Sequence, residues 1–288
     1  MSILSLFLGC SSVPEEIPDK PGTVTEDDLP ALMAVTSPDL PLMLNNTAVE
    51  LSLEDYRLCP KIVYTGVQMS ADAGETCTDS AGITWTGSLV RSTTSDTNYY
   101  SFTNFGPRDG FDGGWVANGS LSSRYTATGA GVTLVTNATV DFYGKSKTVT
   151  WVDTTLQVAN SDGVPYADTY LGHVGLEGWG TAGVEGNRVV FASLNGCTFG
   201  QHGSGDIALT GKNKAAFAYD HAVGAEGPAA PTAQGGAGNA VDTSIDTGIP
   251  PIATTTCGDC ATAFIGDEEV SSCVSPSLSM GWAFPRVF

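Results

Sequence analysis

Between Val132 and Val158 the chain reads as two long runs of strict alternation. Val132, Leu134, Thr136, Ala138, Val140 and Phe142 oppose Thr133, Val135, Asn137, Thr139, Asp141 and Tyr143, and Thr148 to Val158 resumes the pattern after a Gly144-Lys145 turn. A period of two places one set of side chains on each face of a strand, so these residues fold as a half-buried antiparallel hairpin and exclude an amphipathic helix. Ile83, Trp85, Gly87 and Leu89 alternate with Thr84, Thr86 and Ser88 in the same way. Further strands are expected at Ile62 to Gln68, Tyr99 to Phe105, Trp115 to Ser122, Val189 to Leu194, Ile207 to Thr210, Ala215 to Tyr219 and Ala261 to Ile265.

Composition points the same way. The chain has 33 Thr, 24 Val and 35 Gly against 6 Lys and 4 Gln, which suits strands and tight turns and leaves few residues for long helices. The predicted fold is all-β, an antiparallel sandwich or barrel with long loops, in which any helices are few and short. Leu29 to Asp55 carries no readable period. From Gly224 to Thr256 the chain is Gly, Pro, Ala and Thr with almost no large apolar residues, and it reads as a flexible insertion between strands. A faint internal similarity relates Cys77-Thr78 with Ile83-Thr-Trp-Thr-Gly87 to Cys197-Thr198 with Ile207-Ala-Leu-Thr-Gly211, the pattern a duplicated half-barrel would leave.

Charge narrows the partners. Twelve Lys and Arg stand against 31 Asp and Glu, a formal balance of −19 with pI near 4.2. No basic stripe exists to neutralise phosphates, so nucleic acid is not an expected partner, and the chain is not drawn electrostatically to anionic lipid. With only 15% charged and 41% hydrophobic residues it nonetheless has material for a core and is no disordered polyanion.

The N-terminus suggests a compartment. Met1 to Cys10 is a short apolar run ending Phe7-Leu8-Gly9-Cys10, followed by Ser11-Ser12 and a proline-containing acidic stretch with Glu15, Glu16, Asp19, Glu26, Asp27 and Asp28. This resembles the end of a bacterial lipoprotein signal peptide, with Leu8-Gly9-Cys10 at the place of the lipobox. The resemblance implies that residues 1–9 are a signal-peptide remnant and that Cys10 is acylated. It further implies that residues 10–28 form a lipidated acidic tether and residues 29–288 the β domain. Nine residues before the Cys, none of them Lys or Arg, point to a start codon upstream. Ser11 in place of an Asp implies, by the same resemblance, the outer membrane or cell surface. No later segment reaches 18 consecutive apolar residues, so the expected membrane attachment is the lipid.

Removing Cys10 leaves Cys59, Cys77, Cys197, Cys257, Cys260 and Cys273, an even set suited to three disulfides in an oxidising compartment. Six cysteines allow 15 pairings. Proximity favours Cys59 with Cys77 and leaves the other four near the C-terminus. A zinc site around Cys257-Gly-Asp-Cys260 is the competing use, but a second CxxC is missing. The Cys-Pro entry at Cys59-Pro60, the Gly-Ile-Thr-Trp-Thr-Gly strand and the CGDC segment are similar to those of Thr/Gly/Cys-rich exported lipoproteins of Gram-negative bacteria without known activity. That resemblance supplies no catalytic residue.

Templates for chemistry fail in turn. Gly178-Trp-Gly180-Thr-Ala-Gly183 spells GxGxxG but leads into Val184-Glu-Gly-Asn-Arg-Val-Val-Phe191, a turn and strand without the helix N-terminus a pyrophosphate needs. His202-Gly-Ser204-Gly-Asp206 crowds triad residue types too closely to act in series. Asp109-Gly-Phe-Asp112-Gly-Gly114 lacks the alternating ligands of a calcium loop. Asp141, Glu177 and Glu185 stand apart, and no strand carries two acids at the spacing glycoside hydrolysis uses. No catalytic residue, metal or cofactor is therefore assigned. The expected function is a non-catalytic, lipid-anchored envelope protein with a structural or binding role, its partners the membrane through the lipid and a glycan or another envelope protein. The alternative is an exported glycan-active hydrolase or lyase on a β scaffold. The tryptophans 85, 115, 151, 179 and 282 are expected mostly in the core. An exposed one beside Asn or Asp would stack on a sugar, and Trp115 with Asp109 and Asp112 is the first candidate ligand surface.

Overall fold

The computed structural model describes residues 20–53, 58–109, 114–125, 131–142, 147–161, 164–191, 204–220 and 260–275. Among the described residues thirteen strands form one antiparallel sheet in which every strand pairs with its neighbours in sequence. They are β1 (Lys61–Thr65), β2 (Gln68–Thr78), β3 (Thr84–Thr93), β4 (Thr97–Asp109), β5 (Trp115–Tyr125), β6 (Val132–Phe142), β7 (Lys147–Ser161), β8 (Val164–Leu176), β9 (Gly180–Val190), β10 (Ser204–Thr210), β11 (Lys214–Asp220), β12 (Ala261–Ile265) and β13 (Glu268–Val274). The all-β expectation holds. The sheet is wrapped in the manner of a barrel, and among the described residues it is not closed, β1 and β13 each pairing there with one neighbour.

Among the described residues two α-helices precede the sheet, α1 (Leu29–Val35) and α2 (Asp39–Leu53), in the stretch where the sequence showed no period, after a short 3-10 turn at Glu26–Asp28. The missing period has a physical cause. A helix lying on one surface shows an apolar stripe, whereas a helix enclosed on all sides is apolar all round. Every residue from Leu32 to Asn45 is buried. Leu40, Leu42, Met43 and Leu44, at successive steps around the helix, are each 1% exposed or less. A single sheet can do this only by curling around the helix. Tyr64 of β1 donates its hydroxyl to the carbonyl of Ser52 at the end of α2, while Tyr219 of β11 senses the charge of Asp39 at its start. α2 also packs against β3, β5 and β6, so strands from β1 to β11 lie about the same helix.

The curl is built into the strands. Register shifts interrupt the β3–β4, β4–β5, β6–β7 and β7–β8 ladders at Thr86/Ser88, Phe102/Phe105, Thr136/Ala138 and Val152/Thr155. At these points lie residues with positive φ: Gly87, Asn104, Gly119, Asp153 and Gly172. Bulges of this kind bend a strand and increase its twist. Asn and Asp tolerate the left-handed region because their side chains bond locally. Here Asn104 and Asp153 donate their backbone N–H groups to the side-chain oxygens of Asn118 and Asn137, each at 2.8 Å. Gly119 is required by contact as well, since a Cβ there would run into the Asn137 carbonyl.

Several strand boundaries move. Ile62 to Gln68 is broken by Gly66, at φ 62°, into β1 and the start of β2. The strand expected at Val189 to Leu194 overlaps the end of β9, which runs to Val190, and residues 192–194 lie outside the described residues. The sequence missed β8 and β13 and most of β2, where Gly, Ala and Ser at inward positions blur the alternation. The proposed duplication fails, because Gly87 sits within a strand at a bulge whereas Gly211 belongs to the β10–β11 turn.

Candidate functional site

The concave face of the sheet and the helix within it form the interior. It is mostly apolar, with two polar seams. The first surrounds the start of α2. Asp39 is fully buried; its backbone N–H donates to the Ser37 hydroxyl at 3.2 Å, and that hydroxyl donates to its carboxylate at 3.3 Å. A helix N-terminus is a favourable place for such a charge. Burial raises the pKa of the Tyr219 phenol far above its ordinary value, and the nearby Asp39 charge and Tyr170 raise it further. Burial also raises Tyr170, an effect that the neighbouring Trp151 indole only partly offsets.

The second seam crosses five strands along one register row: Arg91, Tyr100, Leu121, Thr136 and Thr154. Burial pushes the Tyr100 phenol up to about 12; the nearby Ser123 hydroxyl and the Arg91 charge pull it down, and Tyr125 adds to the rise. Thr154 donates to the His173 carbonyl at 3.2 Å. Both seams hold phenols and hydroxyls, with Asp39 in one and Arg91 in the other, on the face turned toward the helix. Among the described residues neither seam pairs a nucleophile with a base.

One rim of the sheet is latched by the chain entering it. The segment Lys20–Val24 lies across the β8–β9 and β10–β11 turns. The Gly22 N–H donates to the Thr181 carbonyl at 2.9 Å and the Lys212 N–H to the Gly22 carbonyl at 2.9 Å. Asn213 bonds Val24 twice, accepting its N–H at 2.8 Å and donating to its carbonyl at 2.9 Å. The Trp179 indole donates to the Thr23 carbonyl at 3.0 Å. A Cβ on Gly22 would stand 2.5 Å from the Trp179 ring, so glycine is required for this seat. The acidic tether read from sequence therefore does not extend to Asp28 as free chain: residues from Lys20 are bound to the body. Residues 1–19, Cys10 among them, lie outside the described residues.

The convex face is polar, carrying Thr133, Asn137, Thr139, Thr148, Thr150, Asp153 and their neighbours. Hydroxyl and carboxylate pairs bridge strands there, as between Thr148 and Asp141 at 2.6 Å and between Thr139 and Thr150 at 3.2 Å. Glu185 and Asp206 lie diagonally on β9 and β10. Partial burial raises the Asp206 pKa, the Glu185 charge raises it further, and a bond with Asn187 opposes both. The sequence gave no sign of this pairing, which arises only when the two strands come into register.

The residues singled out by sequence are distributed as follows. Cys59 and Cys77 are joined by a disulfide, as are Cys260 and Cys273, so the latter two are not thiolates for a zinc ion. Cys197 and Cys257 lie outside the described residues. Trp115 is 1% exposed. It starts β5 on the face shared with Ala117, its ring over Gly106, so it cannot serve as an exposed sugar platform. Asp109 ends β4, and Asp112 lies outside the described residues. Trp85 and Trp151 are also buried, whereas Tyr99 is 49% exposed. Among the described residues no group of His, Cys, Asp and Glu is arranged to hold a metal ion, and no helix is long and apolar enough to cross a membrane. No family model matches the chain, and no curated protein and no solved structure is found to be similar to it.

Proposed function

We propose that this chain is a lipid-anchored envelope protein, attached through Cys10, that presents a surface to a glycan or to another envelope protein and turns over no substrate. The observation that carries the reading is the enclosure of α2. The concave side of a curled sheet is where such a fold would hold a small molecule, and here the chain's own helix fills it. What remains for a partner is the polar convex face and the rims. The disulfides suit an oxidising, extracytoplasmic compartment. The latch at Lys20–Val24 gives a tether from Cys10 a firm seat on the body.

The test combines fractionation with activity. Cys10→Ser should release the protein from membranes, because stable anchoring needs the acyl chains; continued membrane association would defeat the anchor. The purified domain should bind on a glycan array or capture an envelope protein, and should release no sugar from a polysaccharide panel. Sugar release lost on Glu185→Gln or Asp206→Asn would replace this reading with the glycan-active enzyme.

A further inference from the structure

The second polar seam holds a cation without a counterion. Arg91 lies on the inner side of β3 with the buried Leu89, opposite Met69 of β2 and Tyr100 of β4, both buried as well. The residue is half-buried, and its Nε–H is out of solvent with no hydrogen-bond acceptor. Among the described residues no carboxylate pairs with it, although the chain holds 31 Asp and Glu against 12 Lys and Arg. Asp96, in the turn between β3 and β4, is bound instead by Arg124 at 2.7 Å. An arginine is ordinarily turned to water or paired, because a guanidinium taken out of water without an acceptor is costly.

Two hydroxyls close by are in the same state. Ser123 and Thr136 are each 0% exposed, and neither hydroxyl has a hydrogen-bond partner. Tyr100 stands opposite Arg91, Ser123 lies diagonally from Tyr100 across the β4–β5 ladder, and Thr136 lies diagonally from Ser123 across the β5–β6 ladder. Diagonal neighbours on one face are about 7–8 Å apart, within reach of long side chains. The Tyr100 phenol responds to Arg91, Ser123 and Tyr125 together, so these side chains converge on it. The group sits near one rim: β3 ends two residues after Arg91, at Thr93, and β5 ends two residues after Ser123, at Tyr125. Tyr125 is 42% exposed and marks the way in.

A guanidinium only donates, and a hydroxyl can donate, so the group gathers positive charge and donors with no negative charge beside them. Water could accept from the Nε–H but would leave the charge uncompensated. A carboxylate answers both needs, since its two oxygens match the fork of Nε–H and Nη–H. We propose that Arg91, Tyr100 and Ser123 form a binding site for a carboxylate entering at this rim, held by the guanidinium fork and the two hydroxyls. Thr136 supplies a further hydroxyl for a ligand longer than the carboxylate, and Tyr125 a ring face at the mouth. Those two features suit a sugar acid better than a bare small acid. The site stands whether the surface partner proposed above is a glycan or a protein.

Titration of the isotope-labelled full chain with sodium glucuronate, followed by the NMR signal of the Arg91 Nε–H, tests this directly. Glucuronate should move that signal saturably, whereas glucose at equal concentration and sodium chloride at equal ionic strength should not. Sodium acetate identifies the source of the carboxylate: tighter binding of glucuronate than of acetate assigns it to a sugar acid, equal binding to a free small acid, and both support the site. Arg91→Gln should weaken glucuronate binding about 10- to 100-fold, the loss expected for charge-assisted hydrogen bonds. Ser123→Ala deletes a hydroxyl that has no partner in the free protein, so it should weaken binding several-fold without lowering the thermal midpoint. A merely structural hydroxyl would do the reverse. If Arg91→Gln fails to fold, the Nε–H signal and Ser123→Ala still decide. No saturable shift with either carboxylate overturns the proposal, as does an equal shift with chloride or undiminished binding to Arg91→Gln.

Discussion

Enclosure of α2 can be tested at three consecutive positions. Leu42, Met43 and Leu44 are each 1% exposed or less and follow one another at about 100° around the helix axis. A helix resting on one face of a sheet would bury one or two of them deeply and leave the third facing away. Its truncation to Ala would then cost no more than about 0.5 kcal/mol. Enclosure predicts a different result. Burial of each side chain contributes roughly 1.5–3 kcal/mol, and the cavity left behind adds to that, so each Leu→Ala or Met→Ala change should cost about 2–5 kcal/mol. Thr47→Ala, at a half-buried position, should stay within about 0.5 kcal/mol as a control. Urea unfolding followed by the fluorescence of the buried Trp115 and Trp151 gives the three values. A loss below about 1 kcal/mol at any of the three would refute enclosure and, with it, the claim that the concave face is closed to substrates.

Other outcomes follow from the same structure. Opening the Cys59–Cys77 bridge, which spans 18 residues, by Cys→Ser at both positions should cost about 3 kcal/mol from loop-closure entropy, read as a lower thermal midpoint; an unchanged midpoint would mean the bridge is not formed in the native protein. Because the folded Asp206 pKa is raised above its unfolded value, the native state holds that proton more tightly. Stability from this group should therefore be fullest at low pH and fall as pH rises through the raised value, and Asp206→Asn should remove the slope in urea titrations between acid and neutral pH. Tyr100 works in the same sense at the alkaline end: stability present below about pH 10 should be lost as pH rises toward about 12, with phenolate absorbance appearing together with unfolding. Trp179→Ala and Gly22→Ala should each free the latch, seen as faster proteolysis before Val24 with the sheet still folded.

What was legible in the sequence depends on which face of an element meets water. β6 and β3 were read well because one face packs inward and the other carries Thr, Ser and Asn, so the alternation is undiluted. β8 and β9 were not. Gly172 and Gly186 replace side chains where neighbours approach closely, as Thr154 approaches Gly172 and Tyr170 approaches Gly186, and a missing side chain, as also at Gly175 and Gly183, carries no period. α2 was unreadable for the opposite reason, since its first half, Leu40 to Leu44, is apolar on every face. Cys59 with Cys77 was legible because proximity in sequence coincides with proximity in the β1–β2 hairpin. Trp115 was misplaced because a polar loop before a strand says nothing about which way the first residue of that strand points.

The polar groups on the convex face also shape the interior. Asn118 and Asn137 occupy neighbouring strands, β5 and β6, and each binds the backbone of a left-handed residue on the strand beyond, Asn104 in β4 and Asp153 in β7. Gly119 lies between them with its Cα against the Asn137 carbonyl. Each Asn makes two bonds to the bulged residue, through its oxygen to the backbone N–H and through its amide to the side chain. Without those bonds the backbone N–H would need water, and the left-handed conformation would lose its local support. The bulges set the bend, the bend wraps the sheet, and the wrapped sheet encloses α2. A convex surface rich in Asn, Asp and Thr is thus required by the curvature itself, before any partner is considered. Surface polarity at Asn104, Asn118, Asn137 and Asp153 is accounted for by the fold, and a search for the partner's contacts belongs at positions the bend does not need, with exposed Tyr99 and the carboxylates of Glu185 and Asp206 first among them.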